Sequence, residues 1–173
     1  MGIPPVRGGG MIKYATDLMI EQRRRKNDVI LLIPGRISCE NGTKCKIRKG
    51  KSYHGITVYE IDNSLPISMF NGIKDFSLYT QPCNEEVLVD FFREQRPDIF
   101  HIHTLMGLHK EWLEAAKQLG IPTVYTTHDY FGICPKGTLF KEGHVCQDVK
   151  WNTCEFCCAN AYPTKRLRIE QSQ

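Results

Sequence analysis

Long apolar runs are missing from this chain. No stretch approaches the roughly 18 consecutive apolar residues that a membrane-spanning helix requires, which argues against a membrane-embedded class. The opening residues, Met1-Gly2-Ile3-Pro4-Pro5-Val6-Arg7, hold no apolar core of the kind a secretory signal needs, so a cytoplasmic location is expected. Heptads, internal repeats and low-complexity segments are absent as well. The two glycine signatures G-x-G-x-x-G and G-x-x-x-x-G-K-[ST] do not occur, and dinucleotide-binding and P-loop chemistry lose support with them. Charge of one sign is scarce: 23 Lys and Arg stand against 19 Asp and Glu, a formal net charge of +4. The excess sits in two clusters, Arg23-Arg24-Arg25-Lys26 and Lys44, Lys46, Arg48, Lys49 and Lys51. Such clusters suit solvated surface, and they can also hold phosphates or an anionic membrane face, which would make the protein peripheral there. With so modest a charge and no nucleic-acid motif, nucleic acid is not expected as a partner.

What is present reads as one ordinary domain. A chain of 173 residues, 41% hydrophobic and 24% charged, can build a core without disulfides. Eight cysteines are many for a reducing compartment, and clustered cysteines there point to metal more often than to a disulfide.

The periodicity supplies the elements. Met11, Ile12, Ala15, Leu18 and Met19 make one helical face after Gly8-Gly9-Gly10. Val29 to Ile33 is a continuous β-branched and leucine run, which suits a strand buried on both faces. Residues 36–53 read as a long surface loop, 56–61 as a strand and 63–84 as irregular chain. Val87, Leu88, Phe91 and Phe92 line a helix that must end near Arg96-Pro97. Ile99 to His103 is a strand, Trp112, Leu113, Ala116 and Leu119 line the next helix, and Thr123 to Thr127 is the last strand. Helix alternating with strand at this spacing predicts an α/β fold with an open, doubly wound, mostly parallel sheet of Rossmann type. The expected division is residues 1–133 for that domain and 134–173 for a Cys-rich extension with a basic tail.

Ligands of open parallel sheets bind outside the carboxyl ends of the strands. That rule nominates His103 at the end of one strand and His128 with Asp129 at the end of another. His101 and His103 alternate and share a sheet face; His101 is expected beneath a helix and His103 in the crevice. Gly8, Gly9 and Gly10 expose backbone amides at a helix start, where they serve either as a plain turn or as an anion site.

Three segments together carry a resemblance. Pro5-Val6-Arg7-Gly8-Gly9-Gly10 with Tyr14 and Asp17-Leu18, Pro97 to His103, and Gly120 to Phe131 resemble, in that order, the motifs of glycosyltransferase family 4. Cys134-Pro135 and the later cysteines resemble an extension of members that build bacterial surface polysaccharides. The resemblance implies one half of a two-domain GT-B enzyme that transfers sugar with retention and without a metal in the chemical step. This half would bind mainly the acceptor, a saccharide or lipid-linked saccharide in polysaccharide or glycolipid assembly. The nucleotide-sugar donor would be held mostly by a second domain. By motif match, Gly9 and Gly10 would approach the donor diphosphate or the acceptor, and His128 would contact the donor sugar near the reacting carbon. His103 would line the acceptor pocket, with Gly8, Tyr14 and Asp129 around it. Two departures are the missing first strand and the missing donor domain; on that reading the chain is truncated at both ends and transfers no sugar alone.

The last segment leaves alternatives open. Cys154-Glu155-Phe156-Cys157 can place two thiolates on one tetrahedral ion, with Cys134 and Cys146 completing a structural zinc shell and Cys158 as substitute. Unligated thiols, a disulfide or an iron–sulfur centre are the other options. A rival for the whole chain is a non-catalytic knuckle that binds a protein or nucleic-acid partner through Lys150, Trp151, Phe156, Lys165, Arg166 and Arg168.

Overall fold

The computed structural model describes residues 8–37, 44–68 and 71–172. Pro5, Val6 and Arg7 of the glycine segment lie outside the described residues. The elements run α1 (Gly10–Arg24), β1 (Ile30–Pro34), β2 (Lys46–Lys49), β3 (Thr57–Asp62), α2 (Glu85–Gln95), β4 (Phe100–Ile102), α3 (Glu111–Gln118), β5 (Thr123–Tyr125), β6 (Phe140–Lys141), β7 (His144–Val145), α4 (Trp151–Cys157) and α5 (Thr164–Gln171). A short 3-10 turn spans Phe76–Tyr79. The fold is mixed α/β, as the alternating pattern predicts.

Two parallel pairs form its frame. β1 runs parallel to β3, with Leu31 opposite Val58 and Ile33 opposite Glu60. β4 runs parallel to β5 through the crossover helix α3, with His101 opposite Val124. Among the described residues the two pairs are not joined into one sheet. That corrects the picture of β1 as fully covered: its residues are only half-buried and Ile30 is exposed, because a strand takes full cover only with neighbours on both edges. For the same reason Thr123, Val124 and Tyr125 of β5 are exposed.

The predicted loop 36–53 contains a strand. β2 pairs antiparallel with β3, Arg48 facing Glu60 and Lys49 facing Tyr59. Its four residues hide their pattern because three are basic; only Ile47 packs on the core. Arg48 bonds to both Asp62 oxygens, at 3.1 and 3.0 Å, and to Glu60, so cross-strand charge replaces apolar alternation.

The core is aromatic. Trp112 is fully buried, with its ring 5.3 Å from Phe92, 5.9 Å from Phe91 and 6.0 Å from Phe100. These contacts, edge-on to Phe91 and Phe92 and tilted against Phe100, fasten α2 and α3 to β4. α2 ends where the sequence requires: Arg96, before Pro97, adopts a left-handed cap and its N–H returns to the Phe92 carbonyl at 2.8 Å. The residues after 133 pack on this frame. The Gln171 side chain bonds twice to the Ile67 backbone, both at 2.9 Å, and Leu167 is buried.

Truncating Trp112→Ala is expected to destabilise the chain by about 3–5 kcal/mol in urea unfolding. Trp112→Phe is expected to cost less, because the buried indole N–H it deletes has no hydrogen-bond partner to leave stranded.

Candidate functional site

The strand ends bring three rings together. The β4–β5 ladder continues one step past the strands, where the Thr126 N–H bonds to the Ile102 carbonyl at 2.9 Å. His128 then turns back so that its Nε2 lies 3.1 Å from Nδ1 of His103. The two imidazoles are stacked with centroids 5.4 Å apart. Tyr14, from the second turn of α1, meets both rings edge-on, at 5.9 Å from His103 and 5.1 Å from His128. A residue four places past Gly10 lies on the same helical face one turn on, so Tyr14 ties the glycine segment to the strand ends.

His101 shares the face with His103, as alternation predicts; the rings are 4.2 Å apart. Its Nε2 pairs with the Thr126 hydroxyl at 2.8 Å and it stays half-buried at the same opening. Asp129 has a different task from ring contact: its Oδ1 accepts the Phe131 N–H at 2.8 Å, a local turn that fixes the chain after His128.

Crowded imidazoles suppress one another's charge. Burial first, then the neighbouring His101 and His128, push His103 down to about 4. Burial and His128 also lower His101. With both rings in the neutral form the His103–His128 contact takes up one N–H; whichever ring donates it, the pair keeps one further N–H and one bare nitrogen. That is a donor and an acceptor at fixed separation.

The glycines open the other side. Gly9 has φ 135° and ψ 164°, a region reserved for glycine, while a Cβ at Gly8, Gly9 or Gly10 would meet nothing within 4 Å. Among the described residues no side chain caps α1 and no acid lies in its first turn, which leaves its leading amides without a side-chain partner there.

The predicted thiols share a second place. Cys134, Cys146, Cys154 and Cys157 line one cleft with His144. Burial and the neighbouring thiols Cys134, Cys158, Cys146 and Cys157 raise Cys154. Cys158 does not line that cleft; it is buried beneath Gly72. The basic residues of the rival reading are largely engaged. Arg168 is buried and bonds to Gln81 at 2.8 Å, while Arg166 stacks 4.0 Å over Tyr162 and pairs with Glu170. Phe156 is exposed, and the Trp151 side chain lies outside the described residues.

One group escaped the sequence reading. Cys45, Cys83 and His109 are buried with their donor atoms all within 4.8 Å, the one such trio among the described residues. Each comes from a different loop, so no local spacing announces them.

With the fold and these rings in place, comparison with known proteins is informative. A family model described as Glycosyltransferase Family 4 matches residues 8–151, and the chain belongs to that family. No curated protein and no solved structure matches it.

Since His103 titrates at about 4 when folded and near the ordinary 6.5 when unfolded, the unfolded chain takes up this proton first as pH falls. Stability is therefore expected to decline from pH 6.5 towards 4, and His103→Asn should flatten that decline in unfolding curves recorded across the window.

Proposed function

We propose that residues 8–133 form the acceptor-side half of a retaining, nucleotide-sugar-dependent glycosyltransferase of GT-B architecture, acting in polysaccharide or glycolipid assembly. Its acceptor is a saccharide, free or lipid-linked. The observation that carries this reading is the meeting of Tyr14, His103 and His128 at the carboxyl ends of β4 and β5, beside a helix start with bare amides. Family membership supports the sugar chemistry. The free edges of β1 and β4 among the described residues support a single doubly wound sheet uniting the two parallel pairs.

Each residue then has a chemical task. An aromatic ring with one N–H and one bare nitrogen suits a sugar, which offers apolar C–H faces and hydroxyls that both donate and accept. Tyr14 supplies the ring and His103 with His128 the polar pair. His128 lies nearest the reacting carbon, and its neutral neighbour keeps it aligned. As the donor diphosphate departs it gains negative charge, and the amides opening α1 at Gly9 and Gly10 stabilise it without reorganising. Asp129 holds the turn that aims His128.

Two further assignments follow as proposals. The cleft of Cys134, Cys146, Cys154 and Cys157 holds a structural zinc, because the β6–β7 hairpin, flanked by Cys134 and Cys146, and α4, which carries Cys154 and Cys157, bring all four thiols to one opening. The ion would draw the sulfurs inward from their present spacing. The basic end of α1 faces an anionic membrane surface; among the described residues no helix is long and apolar enough to cross one.

Calorimetric titration with a panel of saccharide acceptors is expected to show saturable binding that weakens at least about tenfold in His128→Ala. Gly9→Ala, strained by its backbone angle, should impair the site while Gly10→Ala leaves the loop intact. Folded protein that binds no saccharide, yet binds single-stranded nucleic acid in a salt-dependent way, would sink the reading.

A further inference from the structure

The trio outside the ring cluster has no part in sugar transfer, yet it is the most deeply buried set of reactive side chains described. Cys45 is 1% exposed, Cys83 8% and His109 4%. Cys45 immediately precedes β2, Cys83 precedes α2, and His109 precedes α3, so three segments far apart in the chain converge here. Buried polar groups are retained where something satisfies them.

We propose that Cys45, Cys83 and His109 bind a thiophilic divalent metal ion, zinc by chemistry, as a closed structural site with Glu111 as the neighbouring carboxylate. Two thiolates and an imidazole are a borderline-soft set that selects zinc over magnesium or calcium. Zn–S and Zn–N bonds of about 2.3 and 2.0 Å put tetrahedral donors roughly 3.5 Å apart, so groups already within 4.8 Å need only a small contraction.

The surroundings are arranged as a ligand set's supports usually are. His109 Nδ1 lies 2.9 Å from the Gln81 carbonyl, which fixes the ring and leaves Nε2 on the side of the thiols. That Nε2 and the Cys45 sulfur both approach one acceptor, the Asn63 carbonyl, at 3.2 and 3.5 Å. The Cys45 N–H is held by the Asn84 side chain at 2.9 Å, so the residue next to Cys83 anchors the loop of Cys45. Both cysteine loops are thus pinned to each other before any ion arrives.

Glu111 adds an independent observation. It is 5% exposed, its Oε2 has no hydrogen-bond partner, and its Oε1 is 3.8 Å from Lys110 Nζ. An under-compensated carboxylate in the interior is costly, and a dication beside it removes the cost. On binding, the thiols give up their protons to solvent as the two metal–sulfur bonds form, so affinity falls at low pH. The ion would staple the loop after β4, which runs from His103 to His109, to the segments that lead into β2 and α2.

The test uses the whole chain with cadmium(II) as a zinc surrogate. A cadmium–proton correlation spectrum is expected to link the ion to the β protons of Cys45 and Cys83. Zinc affinity should fall at least about tenfold in His109→Asn. Because the correlation is read on the unsubstituted protein, poor folding of the variant leaves the proposal open to refutation. A folded chain whose cadmium couples to neither cysteine, or that carries a Cys45–Cys83 disulfide as purified from reducing conditions, overturns it. Signals assigned to Cys134, Cys146, Cys154 or Cys157 bear on the other cleft alone and are told apart by residue.

Discussion

The packing of Trp112 against Phe91, Phe92 and Phe100 is the constraint on which the rest depends. One indole, carried on α3, touches a second helix and a strand, so α2, α3 and β4 cannot shift independently. Burying large rings contributes more per residue than any other side chain can, and their edge-on geometry allows few arrangements. The strand they hold is β4, whose end carries His103, and the helix they hold is α3, whose approach carries His109. A purely structural contact thereby sets the position of both polar clusters.

Those clusters differ in how they deal with charge. His101, His103 and His128 stand close together and half-exposed, and burial with the neighbouring rings holds His101 and His103 below the ordinary imidazole range. A neutral, prealigned donor–acceptor pair is useful against sugar hydroxyls and of little use for holding phosphate. On the proposed reading the anion-binding role falls to backbone amides at the head of α1, which carry partial positive charge that no pH change removes. Division of labour between neutral rings and helix amides follows from placing both at one end of a parallel sheet. In the Cys45–Cys83–His109 group, burial is nearly complete, and a cation in place of water is the economical way to satisfy it.

The basic surface takes a third form. Arg48 is spent on Glu60 and Asp62, Arg24 and Arg25 on Glu21, Arg168 on Gln81. Much of the positive charge counted in the composition is thus committed to pairs within the chain, so the 23 Lys and Arg overstate the free cations a partner would meet.

Several elements were legible before any coordinates. The helical faces of α1 and α2, the stop at Arg96-Pro97 and the position of His103 just past a strand all rest on local periodicity and proline chemistry, which act within a few residues. Other features were not. β2 looked like loop because its stability comes from Glu60 and Asp62 on another strand, and the exposure of β1 and β5 depends on which edges find neighbours. Alternation put His101 on the face of His103 but could not show that its ring pairs with the Thr126 hydroxyl. The linear chain determined which segments coil or extend and which motifs it shares with its family. Tertiary structure alone decided that Tyr14 reaches two imidazoles and that three loops deliver Cys45, Cys83 and His109 to one point, since proximity across long chain separations is created by packing and leaves no local pattern to read.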